Sequence, residues 1–155
     1  MVDGLVGSEM CIRDSSWIRE LDMLHDLDKY AEDPEFQAQW RAIKLENKKK
    51  LAKLIEEKTG TVVSPNALFD IQVKRIHEYK RQLLNVFSVI HRYNKIKAAT
   101  PEERKEMVPR VVVIGGKAAP GYDMAKRIIK LVCAVGEKVN NDPDVGDLLL
   151  SLIHI

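Results

Sequence analysis

An α/β domain built on a parallel sheet, with two helices ahead of it, is the fold this sequence predicts. Three observations predict it. Two runs, Leu68 to Val73 and Arg110 to Ile114, read as strands, the first partly alternating and the second a continuous β-branched stretch. An amphipathic stretch of helical length lies between them, so the strands should pair in parallel through a right-handed crossover. Each run also ends in a polar loop, the position where ligands gather in open parallel sheets.

Taken in order, residues 1–16 carry little pattern. The spacing of Trp17, Ile18, Leu21 and Leu24 then predicts a first helix. Asp33-Pro34-Glu35 predicts the start of a second: the aspartate accepts from orphan amides, and proline at the first helical position loses no hydrogen bond. Phe36, Trp40, Ile43, Leu51, Leu54 and Ile55 supply its apolar side, and Gly60 its end. The lysines between Lys44 and Lys58 read as its wet face, because no aromatic stacking residues are interleaved with them as a nucleic-acid stripe would require.

Ser64-Pro65-Asn66 is a turn signal before the first strand. From Glu78 to about Ile96, Leu83, Leu84, Phe87, Ile90, Tyr93 and Ile96 form a helical stripe that Val86 and Val89 widen, as suits a helix against a sheet. Thr100-Pro101-Glu102-Glu103 has the spacing of a capping box. After the second strand a helix is expected over Tyr122 to Val139, with Ala125, Ile128, Ile129, Val132 and Val135 inward and Asn140-Asn141-Asp142-Pro143 ending it. Two strands are too few for a parallel sheet, which needs neighbours and covering layers, so the pattern reads as the beginning of a doubly wound domain.

Composition narrows the classes. Of 155 residues, 45% are hydrophobic and 31% charged, which suits a globular chain, and the net charge of +2 points to no particular partner. Cys11 and Cys133 stand far apart without metal-ligand spacing, so neither a disulfide framework nor a metal site is expected. No apolar run reaches bilayer length and no secretion signal is visible, which makes a reducing, cytoplasmic setting the expectation. No H-E-x-x-H pair or serine-centred elbow is present.

The chemistry is expected in the two strand-end loops. Lys74, Arg75, Lys80 and Arg81 surround His77 at the start of a helix, a terminus that already favours anions over cations. A bound phosphate resolves that conflict through amides, a forked guanidinium and ammonium groups; the competing reading is that these side chains simply extend into water. In the second loop, Gly115-Gly116-Lys117-Ala118-Ala119-Pro120-Gly121, paired glycines permit sharp turning and close backbone approach, and Gly121 lets the next helix begin near a ligand. The loop matches neither dinucleotide nor nucleotide phosphate fingerprints, so a purely structural turn stays open.

The stretch Phe69 to Asn85, containing Lys74-Arg75-Ile76-His77-Glu78-Tyr79-Lys80-Arg81, closely resembles the catalytic-cleft signature of the α-glucan (glycogen, starch and maltodextrin) phosphorylases. Ile114 to Tyr122 and Val139 to Pro143 resemble further stretches of that family in the same order, over residues 17–148 in all. The resemblance implies part of a C-terminal Rossmann-like domain of a glycosyltransferase-B architecture. It implies phosphorolysis of an α-1,4-glucan to glucose 1-phosphate, with pyridoxal 5′-phosphate whose phosphate group exchanges a proton with inorganic phosphate. It also implies a homodimeric, allosteric enzyme acting on glucan and phosphate, with no nucleic-acid or membrane partner.

By the same resemblance, Arg75 and Lys80 contact the substrate phosphate, Lys74 lies beside the cofactor phosphate, and Tyr79 lines the pocket with His77 in the same neighbourhood. Gly115, Gly116, Lys117 and Gly121 belong to a second cleft loop. Nothing in the sequence matches the Gly-Thr-Gly-Asn-Met-Lys-like stretch of the Schiff-base lysine, so this chain alone is expected to be inactive. Residues 1–16 and 149–155 depart from the family and are expected to lie outside the domain. Two other readings stand beside this one: a nucleotide-sugar glycosyltransferase, and a non-enzymatic helical module binding an acidic partner through Lys44 to Lys58.

Overall fold

The computed structural model describes residues 16–154. The expected extension over residues 1–16 therefore lies almost wholly outside the described residues. The described residues form two units that divide between Lys53 and Leu54.

In the first unit, Ser16–Ile18 and Leu21–Tyr30 are 3₁₀ helices rather than one α-helix. The reason is in the spacing. Ile18, Leu21, Leu24, Leu27 and Tyr30 recur every third residue, which aligns them on a three-residue turn and drifts around an α-helix. Helix α1 (Pro34–Thr59), whose last residues from Leu54 belong to the second unit, begins as expected, with Asp33 Oδ1 accepting from the amides of Glu35 at 2.9 Å and Phe36 at 3.2 Å. It stops at Gly60, whose φ of 71° is left-handed and whose amide donates to Glu56 O. Within α1 only Ile55 is buried; Trp40 and Leu54 are exposed. Glu46 and Lys50 pair along the wet face at 3.6 Å.

The second unit carries the sheet. Strands β1 (Leu68–Val73), β2 (Arg110–Gly115) and β3 (Leu149–His154) lie in that order, all parallel. Helix α2 (Gln82–Ala98) and the short α3 (Pro101–Lys105) connect β1 to β2, and α4 (Asp123–Asn140) connects β2 to β3. The capping box of α3 is present: Glu103 N donates to Thr100 Oγ1, and Thr100 N donates to Glu103 Oε2.

Three expectations need correction. The sheet has a third strand, made from the segment expected to be a tail; Asn140 at the end of α4 holds it by donating to Ser151 O and accepting from Ser151 N, both at 2.9 Å. Helix α2 begins at Gln82 rather than Glu78, because Arg81 adopts the left-handed conformation (φ 60°) and separates it from a 3₁₀ turn over Glu78–Lys80. The buried face of α2 is Gln82, Val86, Val89 and Ile96, while Leu84 and Phe87 point outward.

The core gathers Val86, Val89 and Ile96 of α2, Val112 and Ile114 of β2, Ala125, Ile128, Val132 and Val139 of α4, and Leu149 of β3. Burying each such valine, isoleucine or leucine fully stabilises the fold by about 1.5–3 kcal/mol. Two helices gripping a parallel sheet leave the strand ends free to carry polar loops. Those ends position the site.

Candidate functional site

The register Val73↔Gly115 brings the carboxyl ends of β1 and β2 side by side. Pairing continues into the loops: Lys74 N donates to Gly115 O at 2.9 Å, and Ile76 N to Lys117 O at 3.1 Å. The approach is too close for any side chain at Gly116. With φ at 156°, a Cβ there would sit 2.0 Å from the carbonyl oxygen of Lys74. The expected close backbone approach is thus located at Gly116. At Gly121 an added Cβ meets nothing within 4 Å, so no steric need for glycine exists there within this chain.

Both predicted loops therefore share one end of the sheet, and with them Lys74, Arg75, His77, Tyr79, Lys80, Gly115, Gly116 and Lys117. Ile76 is buried beneath the loop as its apolar anchor. Lys74, Arg75 and Lys117 are exposed and Lys80 is half-buried, its ammonium 5.4 Å from the centre of the Tyr79 ring. Among the described residues, none of Lys74, Arg75, Lys80, Arg81 and Lys117 forms an ion pair with a carboxylate.

One acid lies in the loop, and its partner is a phenol. Glu78 Oε2 accepts from Tyr122 OH at 2.5 Å, a bond that pushes the Tyr122 hydroxyl above its usual pKa. This bond joins the loop after β1 to the residue that precedes α4. His77 packs against Tyr79 and Tyr122, with ring centres 4.4 and 4.9 Å away, and its Nδ1 accepts from Tyr79 N at 3.4 Å. An accepting Nδ1 leaves the proton of a neutral ring on Nε2. The histidine thus shapes the turn.

Three amide side chains tie the loop down from behind. Gln82 accepts from His77 N at 3.3 Å and donates to Arg75 O at 3.2 Å. Gln72 donates to Lys80 O at 2.9 Å and accepts from Asn85 Nδ2 at 3.1 Å. Sequence reasoning missed these residues and the Glu78–Tyr122 bond. The only available signal was Gln82 standing in line with Val86 and Val89 on an otherwise apolar face.

The arrangement is a cationic edge whose one acid, Glu78, is engaged by Tyr122 rather than by a cation, and it is suited to an oxyanion with several acceptors. No group of three or more His, Cys, Asp or Glu residues able to hold a metal ion occurs among the described residues. No helix among them is long and apolar enough to cross a membrane.

The family model for carbohydrate phosphorylases matches residues 7–154. The chain belongs to the carbohydrate phosphorylase family. It is 56% identical over 134 residues to the potato (Solanum tuberosum) protein named alpha-1,4 glucan phosphorylase L-2 isozyme, chloroplastic/amyloplastic, covering 86% of this chain and 14% of that one. It is 53% identical over 138 residues to the potato alpha-glucan phosphorylase H isozyme, covering 89% of this chain and 16% of the relative. The Arabidopsis thaliana protein named alpha-glucan phosphorylase 2, cytosolic, is 52% identical with the same coverage of 89% and 16%. The chain thus spans about one-seventh of the length of these relatives. Neither the nucleotide-sugar nor the binding-module alternative is favoured by them.

Proposed function

We propose that this segment supplies the phosphate-binding wall of the catalytic cleft of an α-glucan phosphorylase, which transfers the terminal glucosyl unit of an α-1,4-glucan to inorganic phosphate. The observation that carries this reading is the crowd of cations without carboxylate partners at the joined ends of β1 and β2. Like charges so placed repel one another, and an anion between them reverses the sign of that energy.

In this reading Arg75 and Lys80 hold the substrate phosphate, Tyr79 walls the pocket, and His77 sets the turn without moving a proton. Gly115 and Gly116 let the second loop close against Lys74, while Lys117 adds a further cation and Gly121 precedes α4. The opposite wall belongs to a second Rossmann-like domain of a glycosyltransferase-B architecture, and the whole enzyme is a homodimer under allosteric control. The relatives' names support either a cytosolic or a plastid setting, and we retain the cytoplasmic one.

The residues present fit pyridoxal 5′-phosphate at its phosphate end only: Lys74 is exposed beside the Gly116 backbone, while its anchoring lysine has no match in this sequence. When bound, the cofactor would supply a phosphate group for proton exchange with the substrate phosphate. Lys74 would neutralise that group, and Arg75 and Lys80 would keep the two phosphates close against their mutual repulsion.

Incubating the purified 155-residue chain with glycogen, phosphate and added cofactor should release no glucose 1-phosphate, because the opposite wall and anchoring lysine are lacking. Turnover would overturn that division of labour. In a full-length α-glucan phosphorylase carrying residues 17–148, replacing Arg75 should instead weaken phosphate use while leaving glucan affinity in place.

A further inference from the structure

We propose that Gln82, Gln72 and Asn85 are positioning residues that set the separation of Arg75 and Lys80 in the cation loop. The inference rests on the phosphate reading of that loop and adds to it the groups that give it its dimensions.

Gln82 has no solvent exposure at all. An amide in such a place costs about 1–3 kcal/mol when its polar atoms go unmet, and methionine would fill the same volume without that risk. Both polar atoms of Gln82 are met, and neither partner belongs to the sheet or to the body of α2. They are His77 N and Arg75 O, the two sides of the turn that presents the Arg75 guanidinium. The other end of the loop is fixed in the same manner. Asn85 on α2 holds Gln72 on β1, and Gln72 holds Lys80 O. Arg75 and Lys80 are thereby referenced, at the backbone, to a helix and a strand packed into one core.

Without these amides the loop keeps its two ladder bonds to Gly115 O and Lys117 O, the Glu78–Tyr122 bond, and its short-range turn bonds, Tyr79 N to His77 Nδ1, Lys80 N to His77 O and Arg81 N to Glu78 O. None of those engages the carbonyl oxygen of Arg75 or of Lys80, which the amides alone tie to α2 and β1. The choice of neutral amides also matters. A carboxylate at position 72 or 82 would place a negative charge within reach of the cations and compete with the incoming anion, whereas a carboxamide bonds to both donors and acceptors and carries no charge.

The test is steady-state kinetics on a full-length α-glucan phosphorylase carrying residues 17–148, with phosphate and glucan varied separately. Gln82→Met and Gln72→Met should each raise the phosphate KM about tenfold, as expected when a binding group is displaced by a fraction of an ångström, while the glucan KM stays within about twofold. Gln72→Met is the safeguard, since position 72 is only half-buried and tolerates the change if Gln82→Met does not fold. Phosphate KM unchanged in the folded variants, or phosphate and glucan KM rising together, overturns the inference. Arg75→Met in the same assay separates it from its premise. If Arg75→Met leaves the phosphate KM unchanged, the phosphate reading itself fails; if it alone raises that KM, only the positioning role fails.

Discussion

Where the strands begin, polar side chains have found each other. Tyr93 OH donates to Asp142 Oδ2 at 2.5 Å, Lys97 lies 3.3 Å from the same carboxylate and pairs closely with Asp144, and Arg104 donates to Asp144 O at 2.9 Å. Asp142 itself is buried and also accepts from Asp144 N at 3.0 Å. Where the strands stop, Lys74, Arg75, Lys80, Arg81 and Lys117 lie on two adjoining loops, and among the described residues none of them is paired with a carboxylate, the loop's own Glu78 being engaged by Tyr122. The two ends belong to one sheet and differ in what completes them. At the first, the cluster around Asp142 is satisfied within the chain, and a group so satisfied contributes to stability, although the neighbouring Arg92 and Arg110 keep buried Nε atoms without a partner. The second has no such partner among the described residues, and in the proposed reading an anion completes it.

The contrast can be broken first at its functional end. In a full-length phosphorylase carrying this segment, Arg75→Ala or Lys80→Ala should lower kcat/KM for phosphate by roughly 10²-fold or more, about 3 kcal/mol of transition-state stabilisation, with the melting temperature nearly unchanged. Loss of folding with no specific phosphate defect would place these cations among the structural groups. Gly116→Ala comes next. Its methyl group would overlap the Lys74 carbonyl, so a cost of about 3 kcal/mol in denaturant unfolding is expected. The same exchange at Gly121 should stay within about 0.5 kcal/mol. Equal costs at the two glycines would contradict the close approach.

At the structural end, the hydrogen bond from Tyr93, joined by Asp144 N and Lys97, holds the Asp142 carboxyl below its usual pKa despite its burial. A depressed carboxyl contributes stability that is present above its unfolded pKa of about 3.9 and is lost as pH falls through the lower folded value. Asp142→Asn should therefore melt several degrees below the parent at neutral pH, and the gap should close below about pH 4. A gap that does not change with pH would show that charge is not what Asp142 contributes. A smaller loss is expected from Tyr122→Phe, which removes the bond to Glu78 and should cost about 1 kcal/mol or less of unfolding free energy.

Local signals carried most of the fold. The β-branched run over Arg110–Gly115, the Asp33 cap, the Thr100–Glu103 box and the period of α4 each specify structure within a few residues, and each appears as read. The misreadings also have local causes. A three-residue apolar period is close to that of an α-helix, and the leucine-rich run at Leu149–His154, with few β-branched residues, does not announce a strand. What no local pattern can show is pairing at distance. Glu78 and Tyr122 are 44 residues apart, and Tyr93 and Asp142 are 49 apart. The cations of the site were legible because strand, loop and helix follow one another directly. The amides behind them were not, since a buried glutamine and a surface one look alike in sequence.

The most direct measurement is a crystal structure of a full-length α-glucan phosphorylase carrying this segment, with inorganic phosphate bound. The account predicts one phosphate with the Arg75 guanidinium and the Lys80 ammonium both within about 3 Å of its oxygens. Phosphate bound elsewhere, with Arg75 and Lys80 directed to separate surfaces or each paired with a carboxylate from the rest of the enzyme, would contradict it.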